Sequence, residues 1–105
     1  MPQKRSLIIN KLKTYISEQI VHTLNRFDLP LNEFSLSPPK QDDFGDLSTN
    51  VAMILAGEIK KSPLEIAKNI QKNLLENDLD NIKDVTVTPP GFINFIIDPS
   101  FYQNK

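Results

Sequence analysis

Two alternating runs on either side of Pro89-Pro90-Gly91 constrain the fold more than any other part of the chain. In "IKDVTVT", the strand period of two sets Val85 and Val87 on one side and Thr86 and Thr88 on the other. In "FINFII", it sets Ile93, Phe95 and Ile97 on one side and Phe92, Asn94 and Ile96 on the other. The proline-rich connection is tight, so the two runs form a hairpin. Gly91 is expected to supply an unusual backbone conformation at the turn. One face of the last strand is plain core. The other places an aromatic ring and a carboxamide side by side, about 6–7 Å apart along the strand.

The segments before the hairpin carry a helical period. Ile8, Leu12, Ile16, Ile20 and Leu24 recur every four residues, widened by Leu7, Tyr15 and Phe27. A long amphipathic helix is expected from Ser6, as N-cap, to Arg26. Leu29-Pro30 ends it, because the residue before proline is pushed out of the helical region. His22 lies off the apolar stripe and reads as a solvated helix residue. Phe34 and Leu36 alternate with Ser35 and Ser37, a short strand closed by Pro38-Pro39. Leu47 is expected in a second short strand pairing back on the first. Val51, Ala52, Leu55, Ala56 and Ile59 then form a helix ending near Lys60 or Lys61. Asp46, Ser48 and Asn50 are its candidate caps, with Ser48 favoured. "SPLE" starts another helix, with Ser62 as N-cap, Pro63 as first helical residue and Glu65 completing a capping box. Leu64, Ala67, Ile70, Gln71 and Leu74 continue that helix face, and "ENDLDN" ends it. The order is helix-strand-strand-helix-helix-strand-strand. The fold class is α+β: two layers, a small antiparallel sheet with helices on one face.

The bulk properties exclude more than they assign. At 105 residues the chain is one domain, large enough for one modest core. There is no cysteine, so no disulfide framework and no thiolate chemistry, in keeping with a cytoplasmic location. The first residues carry only a short apolar run, Leu7 to Ile9, too short for a signal peptide or a membrane span. One histidine and three glycines leave no metal-ligand spacing and no phosphate-cradling loop. Asp42, Asp43 and Asp46 could hold a hard cation but read better as a solvated turn. A self-contained active site is not expected. Net charge is −1 and uneven. Residues 1–30 hold five basic groups against two acidic ones. A lone nucleic-acid binder usually has a stronger basic footprint. If the domain touches RNA, it does so as one contact of a larger protein.

Two segments carry a resemblance. Gly45-Asp46-Leu47-Ser48-Thr49-Asn50-Val51-Ala52-Met53 leads into Leu55-Ala56 and the corner Lys60-Lys61-Ser62-Pro63. Pro90-Gly91-Phe92-Ile93-Asn94-Phe95 follows later. In this order they resemble the N-terminal additional domain of arginyl-tRNA synthetase. Pro89 departs from the family pattern, where a small or polar residue is more usual, so any side-chain contact from that position is lost.

The resemblance implies a single tRNA-binding additional domain, 1–105, cut before the catalytic domain of a class I synthetase. It implies that the domain reaches the outer corner of the tRNA and contacts the D-loop. Phe92 and Asn94 then match the aromatic ring and amide that meet an unpaired base, with Gly91 beside them and Lys40 near phosphate. No cofactor belongs to this domain, whereas the parent ligase uses ATP in protein biosynthesis. The implied partners are arginine tRNA and the remaining synthetase domains, with no membrane and a monomeric state.

The residues themselves allow the same reading. Unstacked loop bases are read by aromatic stacking plus edge hydrogen bonds, and a carboxamide offers both donor and acceptor. Alternatives stay open. Helices on both sheet faces would make Phe92 core, and Gly91 and Asn94 would then serve only the turn and the sheet edge. "GDLSTN" either presents groups to phosphate at a helix N-terminus or merely caps the helix. Lys60 and Lys61 suit a helix C-terminus in any case. A rival of another class is a structural docking module, with Phe92 and Ile96 meeting protein. Salt separates the two, since RNA affinity should fall steeply with ionic strength and apolar docking much less.

Overall fold

A computed structural model describes residues 4–30, 33–39 and 45–99. The side chains of Ser6, Leu7 and Ile8, and the residues Lys40, Asp42 and Asp43, lie outside the described ones. The elements follow the expected order: α1 Lys4–Arg26, β1 Leu36–Ser37, β2 Leu47–Thr49, α2 Val51–Ile59, α3 Pro63–Glu76, β3 Ile82–Thr88 and β4 Phe92–Ile97. The four strands form one antiparallel sheet in the order β1-β2-β4-β3. Its class is α+β, with the helices packed on one face.

The core lies between the layers. From α1 it takes Leu12, Ile16, Ile20 and Leu24, from α2 Val51, Ala52 and Leu55, and from α3 Ile66, Ala67, Ile70 and Leu74. The sheet supplies Leu47, Val85, Ile93, Phe95 and Ile97. These are the helical and strand periods of the sequence turned inward, each large side chain contributing about 1.5–3 kcal/mol on burial. Polar groups between helices are paired: Thr23 Oγ1 sits 2.9 Å from Asn73 Oδ1, and the Asp80 amide donates to the Tyr15 hydroxyl at 2.9 Å. The outer edge of β3 at buried Val85 is closed by side chains. Its amide donates to Asp84 Oδ1 at 2.8 Å and its carbonyl accepts from Gln71 Nε2 at 2.7 Å.

Helix boundaries depart from the sequence expectation where backbone geometry overrides cap preference. α1 begins at Lys4, so Ser6 lies inside the helix and is not its N-cap. Its end precedes the proline: Asp28 adopts φ 58, Leu29 N–H donates to the Leu24 carbonyl at 2.8 Å and Asp28 N–H to Asn25 at 3.1 Å. That pattern is a Schellman motif, which satisfies the last carbonyls without the proline. The cap of α2 is Asn50, not Ser48. Ser48 is drawn into β2 by pairing on both sides, and Thr49 Oγ1 takes the Val51 amide at 3.3 Å. Ser62 caps α3 as expected, accepting from Glu65 N–H at 3.4 Å with Pro63 at the first helical position.

Candidate nucleic-acid interface

Directly opposed residues in an antiparallel ladder point to the same face. The register opposes Ser37 with Ser48, Ser48 with Asn94, and Asn94 with Thr86. One polar row therefore crosses all four strands on the face away from the helices. The next rung opposes Thr88 with Phe92. Phe92 is 38% exposed, whereas Ile93 and Phe95, on the helix side, are fully buried. The ring is not core, and among the described residues the helices lie on the opposite sheet face.

A groove of about 380 Å³ lies on this open face. Pro38, Pro39, Pro89, Phe92 and Asn94 are among the residues lining it. Among the described residues, every side chain lining it is uncharged. Asn94 is not the freely solvated carboxamide that the strand pattern suggested: it is 0% exposed. Its Nδ2 donates to Thr88 Oγ1 at 3.2 Å and approaches Thr86 Oγ1 at 3.5 Å. Its Oδ1 is buried with no hydrogen-bond partner among the described residues. An unpaired buried acceptor costs about 1–3 kcal/mol, so a donor brought to this oxygen would offset that cost.

The neighbouring motif residues build this face. Gly45 has φ +130, and a Cβ there would come within 3.1 Å of the Phe95 carbonyl oxygen. Asp46 N–H donates to that same carbonyl at 2.9 Å, while Asp46 Oδ2 accepts from Ile97 N–H at 2.8 Å. Glycine and aspartate together stitch the loop to β4. Asn50 Oδ1 accepts from Ser35 N–H at 2.9 Å, tying the start of α2 to the β1 segment. Gly91 does not adopt a left-handed conformation; positive φ among the glycines is found only at Gly45 within the described residues. Its smallness serves close packing instead, since a Cβ would lie 2.9 Å from Pro63 Cβ and 3.0 Å from the Pro63 carbonyl group. Gly91 thus locks the hairpin turn onto the start of α3 and sets the position from which Phe92 departs.

The structure brings Phe92, Asn94 and Gly91 together at one end of the sheet, whereas Lys40 lies outside the described residues. Ser35, Ser37, Ser48 and Asn50 also line the groove, and sequence reasoning did not assign them to it. The alternation of Ser35 and Ser37 with Phe34 and Leu36 carried the signal, but only the β2–β4 ladder joins that polar face to Asn94. Among the described residues, no group of three or more His, Cys, Asp or Glu side chains could hold a metal ion. No helix among them is long and apolar enough to cross a membrane.

Comparison with known proteins agrees with this architecture. Residues 10–97 match the family model described as arginyl tRNA synthetase N terminal domain. An arginine–tRNA ligase of Chlorobium phaeobacteroides (strain BS1) is 33% identical over 95 residues, covering 90% of this chain and 17% of that protein. Arginine–tRNA ligases of Mesomycoplasma hyopneumoniae (strain J) and Mycoplasmoides gallisepticum (strain R(low)) are 38% and 40% identical, over 89% and 87% of this chain. The chain spans about one-sixth of the length of these relatives. With its family match running from α1 to the end of β4, the chain belongs to the arginyl tRNA synthetase N-terminal domain family.

Proposed function

We propose that this domain is a tRNA-reading part of an arginine–tRNA ligase, and that its open sheet face takes up an unpaired nucleotide of the D-loop. The observation that carries the reading is the pairing of an exposed Phe92 ring with a buried Asn94 Oδ1, unpartnered among the described residues, in one groove whose described lining is uncharged. The ring supplies a stacking platform worth about 1–3 kcal/mol per base. The free amide oxygen supplies an acceptor for a donor on the base edge. Because Asn94 is covered, the side chains around it must part as the base enters. Gly91 supports the site through the turn, and Lys40, next in sequence to Pro39, is the candidate for phosphate. The domain brings no cofactor of its own. ATP, arginine and the joining chemistry belong to the rest of a cytoplasmic, monomeric ligase.

The test is tRNA binding by the intact ligase carrying Phe92→Ala. Loss of one stacked base predicts about 5- to 150-fold weaker binding, seen as a raised KM for tRNA with little change in the KM values for ATP and arginine. An unchanged tRNA KM would remove Phe92 from the interface. The rival, in which Phe92 and Ile96 dock against another domain, predicts a loss of ligase stability in the same variant and no specific effect on tRNA.

A further inference from the structure

The helix layer carries a second groove, of about 510 Å³, where the C-terminal ends of α1 and α2 meet one side of α3. We infer that it seats an acidic amphipathic helix supplied by the remainder of the longer polypeptide to which this domain belongs. The α3 wall is Ile66, Asn69, Ile70, Asn73 and Glu76, a spacing of threes and fours that forms one stripe. Between its ends the stripe runs about 15 Å at 1.5 Å per residue, room for roughly three turns of a partner helix.

The floor is aliphatic. Ile66 and Ile70 are 4% and 1% exposed and continue into the core, with half-buried Ile59 beside them. Phe27 stands at the side, 49% exposed, the most exposed large apolar side chain among the described residues. Bases stack on rings and not on branched aliphatic chains, so this floor favours a protein occupant over RNA. A helix-in-groove contact uses apolar anchors at the spacing such a stripe accepts. The rim selects charge: among the described residues, Arg26, Lys61 and Lys72 line the groove against one carboxylate, that of Glu76. That excess of cations complements an acidic flank. The source follows from length, because the relatives extend far beyond the region this chain matches, 17% of each. The inference rests on the domain being carried in a longer chain of that kind, and not on the RNA reading of the sheet face.

The test places a photo-crosslinking p-benzoylphenylalanine at Asn69 of the intact longer polypeptide, with peptide mapping of the product. The expected crosslink is intramolecular and lands on a helix with acidic side chains. Its yield falls at least tenfold in the Lys61→Glu, Lys72→Glu double variant. The same label at Leu75, exposed on α3 outside the groove, gives none. Hydrogen exchange supplies a label-free check, with amides at the α1 C-terminus and in α3 exchanging more slowly in the intact polypeptide than in the 105-residue chain. Crosslinks to tRNA, crosslinks to a second copy, no crosslink, or equal exchange each overturn the proposal. None of these outcomes bears on Phe92.

Discussion

Asn94 is the residue at which stability and the proposed function part company. A buried amide with a free oxygen is a poor choice for a core and a useful one for a site that waits for a donor. Replacing it with an apolar side chain of similar size removes the unpaired acceptor while freeing Thr88 Oγ1. Asn94→Leu is therefore expected to hold or raise Tm, within about 1 kcal/mol, while weakening tRNA binding by the intact ligase at least several-fold. Thermal melts and binding isotherms on the same preparation check both halves. A large loss of Tm would mean that the amide is there for the fold. Phe92 behaves differently: with its ring already exposed, its truncation should leave Tm nearly unchanged.

At the scale of elements, the hairpin is held by its contact with the start of α3. Gly91→Ala puts a methyl group into backbone and ring atoms of Pro63, none of which is the movable end of a flexible side chain. The expected cost is about 1–3 kcal/mol, read as a Tm drop of roughly 5–20 °C, with reduced tRNA affinity because Phe92 shifts with the turn. A neutral melt would show that the turn can give way. The three helices, the hairpin and the Ser62-Pro63 cap were legible in the sequence because each rests on a local period or a local hydrogen bond. Ser48 was misplaced for the opposite reason. Its cap propensity is local, but its pairings reach eleven residues back to Ser37 and forty-six forward to Asn94, and they prevail. Gly91 was legible as a required glycine but not for its reason, which lies in a proline twenty-eight positions earlier. The ring and amide of the site could be read from strand alternation. The burial of the amide and the serine-lined half of the groove could not, since both depend on β1 and β2 joining the sheet beside β4.

At the scale of the whole molecule, the two faces divide the work in this account: the sheet meets RNA and the helix layer meets the rest of the polypeptide. Net charge is −1, and the described residues lining the sheet-face groove are uncharged. On the proposed reading these residues add a base contact with little phosphate neutralisation, and a steep salt dependence of tRNA binding would come from the remainder of the ligase. For the isolated chain, log K against log salt should have a slope no steeper than about −1.4, two phosphates' worth for a single strand. Fluorescence anisotropy across a salt series reads this directly, and a steep slope would place the binding on a basic surface elsewhere. The most direct measurement of the central claim is an ¹⁵N-correlation NMR titration of the 105-residue chain with a D-arm stem-loop RNA. The account predicts perturbations centred on the amides of Ser48, Thr88, Phe92 and Asn94, together with the Asn94 side-chain amide. Perturbations confined to the helix layer, or none at millimolar RNA, would contradict it.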